Sequence, residues 1–245
     1  MTYNHAQSLR ALARHLMFRS GLDSVRIGLN RWRGFNMDHL SVGGERAQVF
    51  SAVYRDGIWV HREGQDSRSG IGSTSDATQL LRSRLKAVLD ELHCRRLVDV
   101  GCGDFNWMRH VQGDWDYIGL DIVEDVIARN AERYGGPRRA FQVLDATRDP
   151  LPAGDVVLCR EVLFHLSHAS ALGAVRNMAA SGARWLVATS DMQFWFNADI
   201  RDGDYRRLNL CRPPFRLPPP QRIIPDDSVA PGRVLGIWPM ESVQA

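Results

Sequence analysis

An apolar run that ends in a glycine turn is the feature of this sequence with the clearest chemical meaning. It covers residues 97–104 and reads LVDVGCGD. Glycine lets the main chain turn sharply and lets a ligand approach it closely. In an open α/β sheet, such a turn lies in the crevice beyond the carboxyl ends of the strands. The run therefore predicts a site for a nucleotide-like ligand, with contacts at Gly101 and Gly103.

Two later apolar runs end in a carboxylate. Asp121 ends the run YIGLD, and Asp145 is followed by a small residue in the run VLDA. A carboxylate at the first place accepts hydrogen bonds from ribose hydroxyls. One at the second place accepts from an adenine amino group, while the N–H of Ala146 donates to a ring nitrogen. We therefore expect an adenosine ligand that also meets Ile122.

The turn lacks the third glycine of a dinucleotide fingerprint, because Asn106 holds its place. That glycine allows close helix packing beside a pyrophosphate, so its absence argues against a nicotinamide dehydrogenase. S-adenosylmethionine (SAM) has no pyrophosphate, and Asp99 or Asp104 would balance its ammonium group. SAM is the predicted cofactor, and hydride transfer on a related scaffold stays open as an alternative.

The run after the fourth predicted strand places polar side chains in the same crevice. It reads REVLFHL from Arg160, which we assign to the cofactor site. If the methyl acceptor is a hydroxyl or a protonated amine, a base must remove a proton. The candidates are Glu161, His165, Asp191 and Asp199, of which we assign the catalytic role to Glu161 and His165. Two structural alternatives remain open: Glu161 could stabilise the start of a helix, and His165 could pack in the core.

A mixed aromatic and polar segment follows the fifth predicted strand. It reads DMQFWFNAD over residues 191–199, and this composition suits an acceptor pocket. We expect Trp195, Asn197 and Asp199 to form one wall and to bind substrate. The glycine-serine loop around Ser69–Ser73 would close over the site as a lid.

Strand and helix patterns alternate along most of the chain. Strands are predicted at 96–100, 117–121, 140–144, 156–159 and 185–189, with helices at 78–92, from about 106, 125–134 and 169–180. A last strand at 234–238 follows a proline-rich extended segment at 211–231. Repeated βα units predict a Rossmann-like, mainly parallel sheet with helices on both faces. We assign residues 78–245 to this SAM-binding domain.

Residues 1–77 form a predicted helical and loop extension. Its first helix, at 6–17, collects its apolar side chains on one face, namely Ala6, Leu9, Ala13, Leu16 and Met17. Arg10 and Arg14 lie on the other side. We expect the helix to dock on the domain or on a second subunit, and a membrane-surface or targeting role stays open.

The order of these motifs resembles class I SAM-dependent methyltransferases over roughly residues 78–190. The run GDFNWM at 103–108 is similar to a bacterial group of these enzymes. The resemblance implies a seven-stranded sheet with its last strand antiparallel. It also carries SAM contacts onto Asp99, Gly101, Gly103, Asp121, Asp145 and Ala146. Most of these enzymes have glycine where Asp104 stands, which leaves the contacts at the methionine end open.

Charge favours a small acceptor such as a sugar or another secondary metabolite. The net charge is +3, and residues 1–50 carry seven arginines against three acids. The rest of the chain is close to neutral, without the basic excess of general nucleic-acid binding. An RNA or protein methyltransferase that uses the N-terminal arginines is the alternative. A silent SAM-binding partner subunit is another.

Composition predicts a cytoplasmic protein without a membrane span or a metal site. No apolar run approaches the roughly 20 residues that cross a bilayer. The four cysteines lie far apart, which favours neither a disulfide framework nor a zinc site. The oligomeric state stays open.

Overall fold

Seven strands form one sheet at the centre of the protein, whose computed structural model describes residues 4–41 and 44–243. The strands are β1 (Arg96–Val100), β2 (Asp116–Asp121), β3 (Arg139–Val143), β4 (Val156–Cys159), β5 (Trp185–Asp191), β6 (Arg222–Pro225) and β7 (Arg233–Pro239). Their order across the sheet is β3-β2-β1-β4-β5-β7-β6. Strand β7 pairs antiparallel with β5 and β6, and the first five strands pair in parallel. The predicted Rossmann-like sheet with an antiparallel last strand is confirmed.

Helices cover both faces of this sheet. They are α4 (Gln79–Glu91), α5 (Glu124–Tyr134) and α6 (His168–Ala180). Successive residues of a strand point to opposite faces, so Leu97 packs in the core that includes α4 and Val98 in the core that includes α6. The strands β1 and β4 are buried on both sides, which explains their nearly continuous apolar sequences.

Three helices precede this domain, namely α1 (His5–Arg19), α2 (Asp23–Trp32) and α3 (Arg46–Arg55). The first two contact the long segment between β5 and β6, where the Asn4 N–H donates to the Gln193 carbonyl. The third lies beside the carboxyl ends of the strands, and a loop leads from it to α4. No helix in the described ranges is long and apolar enough to cross a membrane.

Two expectations from sequence were wrong. The helix predicted from about residue 106 is a single 3-10 turn, Met108–His110, because Phe105 adopts a left-handed φ of +57° and Asn106 Nδ2 bonds the Ser73 carbonyl. Strand β6 was not predicted. Prolines crowd its surroundings, and a proline-containing strand is tolerated at the edge of a sheet, where β6 lies.

Candidate active site

A cleft of about 900 Å³ lies beyond the carboxyl ends of β1, β2 and β4. The predicted site residues that line it are Asp99, Gly101, Gly103, Asp121, Ile122, Asp145, Ala146, Arg160, Glu161 and His165. These residues come from strand ends that are far apart in sequence. The sheet order brings them together, because β1 lies between β2 and β4.

The glycine turn after β1 fixes the floor of the cleft. Gly101 has a φ of +72°, and a Cβ there would lie 2.3 Å from Val162 Cγ2. The Gly103 N–H donates to Asp121 Oδ2 at 3.0 Å. A side chain at Gly101 would therefore collide with the loop after β4, and the turn itself orients the carboxylate at the end of β2.

Two buried carboxyl groups face this cleft. Burial raises the pKa of Asp121 to about 6, although the N–H groups of Val123 and Gly103 favour its ionised form. Burial likewise raises the pKa of Asp99 to about 7, although the Tyr117 hydroxyl donates to it at 2.6 Å. A ligand that presents hydroxyl or ammonium donors would favour the ionised form of each group.

Both carboxylate oxygens of Asp145 already accept hydrogen bonds from other residues of the protein. Its Oδ1 accepts from the Thr147 N–H and hydroxyl, and its Oδ2 accepts from Arg46 Nη2 at 2.8 Å. Burial would raise the pKa of Asp145, but Arg46 and Thr147 outweigh burial and lower it. Asp145 therefore ties α3 to the end of β3, and an adenine amino group would compete with Arg46 for it.

Asp104, which we predicted as a cofactor contact, is not among the residues that line the cleft. Its carboxylate accepts from the Ser67 hydroxyl at 3.0 Å and from the Arg68 N–H at 2.6 Å. Its own N–H donates to Ser69 Oγ at 2.8 Å. These contacts turn Asp104 toward the glycine-serine loop, and its role as a cofactor contact stays a prediction.

Arg160 and Glu161 belong to a buried ionic cluster. Arg160 donates from Nε and Nη2 to Asp226, at 2.9 Å each, and also to the Gly72 carbonyl. Glu161 accepts from Arg233 Nη1 at 2.6 Å. Burial would raise the pKa of Glu161, but the two arginines outweigh it and lower the pKa. Glu161 is therefore held as a carboxylate, which suits positioning better than proton removal.

His165 lines the cleft as a neutral ring with one unprotonated nitrogen. Its Nδ1 lies 2.9 Å from the Asp204 carbonyl oxygen, which can only accept, so Nδ1 carries the hydrogen. Burial lowers the pKa of His165 to about 4, so the ring is neutral near pH 7. The Trp59 ring packs against it with 4.7 Å between centroids. The second nitrogen, Nε2, therefore holds a lone pair.

The predicted acceptor wall lies outside the cleft lining. Asn197 Nδ2 donates to the carbonyls of Asn209 and Pro213, and Asp199 accepts from the His168 N–H at the start of α6. The Trp195 N–H contacts Ser8 Oγ in α1. The structure does not bring these three residues to the site, because they organise the segment between β5 and β6.

Sequence reasoning missed the residues that the N-terminal extension contributes. Arg46, Phe50 and Tyr54 of α3 line the cleft, together with Trp59 and with Ser69 and Ser73 of the predicted lid. One signal in the sequence could have indicated this contribution: Trp59 comes just before the polar glycine-serine loop. The helical pattern of α3 gave no sign that it would face a ligand site.

One family model matches part of this chain. Residues 97–182, from β1 to just after α6, match the family model described as a methyltransferase domain. A comparison with curated proteins finds no match.

Solved structures give similar relatives of low identity. The methyltransferase domain of bacterial CtHen1-C is 18% identical with a TM-score of 0.42, and the match covers 47% of this chain and 66% of that one. The N-methyltransferase NodS from Bradyrhizobium japonicum, in complex with S-adenosyl-l-homocysteine, is 20% identical with a TM-score of 0.40, covering 47% and 60%. Magnesium protoporphyrin IX methyltransferase (ChlM) from Synechocystis, with bound SAM, is 20% identical with a TM-score of 0.46, covering 61% and 77%. This chain therefore spans less than two thirds of the first two relatives.

Proposed function

We propose that this protein, which carries a methyltransferase domain at residues 97–182, transfers the methyl group of SAM to a small-molecule acceptor. The observation that carries the proposal is the placement of Asp121. Its carboxylate stands at the cleft beside the glycine turn, fixed by the N–H groups of Gly103 and Val123. This is the position in which an acidic group accepts from ribose hydroxyls in α/β nucleotide sites.

The residues of the cleft fit the parts of SAM. Asp121 would hold the ribose, and the buried carboxyl of Asp99 would balance the ammonium of the methionine part. Ile122 and Ala146 line the cleft where the adenine would lie. Asp145 would reach the adenine amino group only if Arg46 moved aside, so we assign Asp145 to the closure of the site by α3.

SAM supplies a methyl group on an activated sulfonium carbon, so catalysis rests on holding the acceptor in line and excluding water. Trp59, Tyr54 and Trp107 provide aromatic surface for an acceptor in the same cleft. His165 Nε2 would take a proton from an acceptor hydroxyl or amine. The Glu161 carboxylate would orient that group by accepting a hydrogen bond.

The covered cleft supports a small acceptor rather than a polymer. Its lining combines aromatic side chains such as Trp59 and Trp107 with a few polar groups, which is typical of small-ligand pockets. Three of the seven arginines in residues 1–50 are already engaged within the protein, since Arg14 and Arg26 bind Asp204 and Arg46 binds Asp145. We therefore rank the RNA or protein alternative second.

A methyl-labelling experiment tests this proposal. The protein would be incubated with methyl-labelled SAM and an extract of its source cells, which is then separated into low-mass, RNA and protein fractions. We expect label in the low-mass fraction, lost with Asp121→Ala and retained with Asp116→Ala, which alters the opposite, exposed end of β2. Enzyme-dependent label in RNA or protein, or none in any fraction, would contradict the proposal.

A further inference from the structure

The helices α1 and α2 contact the rest of the protein through polar side chains and through a few apolar ones, namely Ile27 of α2, which is buried, and Leu12 and Phe18 of α1, which are half-buried. On α2, Asp23 accepts from Arg201 Nε at 3.0 Å, and Arg26 Nη2 donates to Asp204 at 2.5 Å. On α1, Arg14 pairs with Asp204, and His15 Nδ1 accepts from the Asp199 N–H. Charged and polar side chains therefore anchor both helices.

On each helix, a second set of apolar side chains points into solvent. On α2, Val25, Leu29 and Trp32 recur at helical spacing with exposed fractions of 54%, 50% and 84%. On α1, Leu9 and Leu16 are 57% and 60% exposed. The α1 helix thus contacts the domain, which is one of the two alternatives that we predicted, but Leu9 and Leu16 of its predicted apolar face take no part in the contact.

Such an arrangement is unusual for a surface helix. An amphipathic helix normally buries its apolar stripe and exposes its polar side. These two consecutive helices instead leave several large apolar side chains exposed, and a cluster of such side chains marks an interaction site. We therefore expect a binding partner to cover the exposed apolar side chains of α1 and α2.

The charges beside the exposed apolar side chains indicate the chemistry of the partner that would cover them. At about 100° per residue, Arg10 and Arg19 lie on either side of the Leu9 and Leu16 face of α1. Arg33, just after α2, lies beside its exposed apolar side chains, whereas Arg31 points to another side of the helix and pairs with Asp38. The one acid between residues 4 and 37 is Asp23, which is buried against Arg26 and Arg201. The outer surface of both helices is thus apolar, with arginines at its edges.

We propose that α1 and α2 bind the surface of an anionic lipid bilayer. Helices that lie in a membrane interface carry large apolar side chains flanked by arginine or lysine, which meet lipid phosphates. A second copy of this chain fits less well, because a two-fold interface would bring the same arginine edges together. The proposal concerns a surface contact and does not depend on the methyl acceptor.

Vesicle flotation of the full chain tests this proposal. We expect binding to vesicles of phosphatidylcholine with phosphatidylglycerol and at least about tenfold weaker binding to phosphatidylcholine alone. The double variant Leu29→Ser/Trp32→Ser should lose at least about tenfold in affinity for the anionic vesicles. The matched control is Leu80→Ser, which alters a leucine of α4 that is 63% exposed.

Three outcomes would overturn it. A folded protein could bind neither kind of vesicle, or could bind both equally. Sedimentation could instead show a dimer that Leu29→Ser/Trp32→Ser dissociates and Leu80→Ser does not, which would assign the apolar faces to a second copy of the chain.

Discussion

Asp121 titrates close to neutral pH, and ligand binding should depend on its charge. Burial raises its pKa to about 6, and the ionised form is the one that accepts from both ribose hydroxyls. Affinity for adenosine should be constant above pH 6 and fall by up to about tenfold per pH unit below it, because the carboxyl must first lose its proton. Calorimetric titration from pH 5 to pH 8 measures this dependence.

Adenosine is the right probe because it lacks the amino-acid part of SAM, which we assign to Asp99. The variant Asp121→Asn should bind adenosine more weakly, with no dependence on pH below 6. A variant that kept the dependence of the unchanged protein would show that another group is responsible.

His165 should matter for turnover and little for cofactor binding. It is neutral near pH 7, with Nδ1 held by the Asp204 carbonyl and a lone pair on Nε2. Replacing it, as His165→Gln, should lower kcat about 100-fold or more if it removes the acceptor proton. Affinity for S-adenosylhomocysteine should stay unchanged, and His61→Gln in the exposed part of the loop should alter neither quantity. Unaltered turnover in His165→Gln would contradict the role.

At the scale of elements, Asp104 anchors the first part of the loop between α3 and α4. The Asp104 carboxylate holds Ser67 and Arg68, and Ser69 bonds both the Asp104 N–H and the Tyr54 hydroxyl. Asp104→Ala should release residues 66–75 and raise their amide hydrogen exchange, since local opening is cheapest where few contacts hold a segment. Affinity for S-adenosylhomocysteine should fall as well.

Asp114→Ala is the matched control for that variant, because Asp114 is almost fully exposed and pairs only with Arg138 among the described residues. If exchange of residues 66–75 stayed the same in Asp104→Ala, the anchoring role would be wrong.

The strands and the cofactor end of the site could be predicted because their signals are local. An apolar run, a glycine turn and a terminal aspartate specify β1 and β2 from adjacent residues. The misassigned elements depend on contacts that are distant in sequence. Asn197 donates hydrogen bonds to carbonyl groups of a later loop, and Arg46 donates to Asp145, which lies 99 residues further along the sequence. The orientation of α1 likewise follows from Asp204, which no periodicity in α1 reveals.

At the scale of the whole molecule, the ionic cluster below the cleft joins β4, β6 and β7. Arg160 and Asp226 are each 3% exposed in their side chains and form a bidentate pair. Removing one partner of a buried pair leaves a charge without compensation, so Arg160→Met should lower the free energy of unfolding by about 3–5 kcal/mol. Urea unfolding measures the loss.

The surface pair of Arg222 and Glu91 is a suitable comparison, with side chains 47% and 56% exposed. Arg222→Met should cost at most about 1 kcal/mol, because solvent screens exposed ion pairs. Equal losses in the two variants would show that the buried cluster adds nothing special to stability.

The most direct test of the central claim is isothermal titration of the whole protein with S-adenosylhomocysteine and, separately, with NAD. We expect micromolar binding of the first alone. Asp121→Ala should weaken it by about tenfold or more, because a hydrogen bond to a charged group is lost. Asp116→Ala should leave it unchanged. A folded protein that binds no adenosyl ligand, or that binds NAD as tightly, would contradict the assignment of this cleft to SAM.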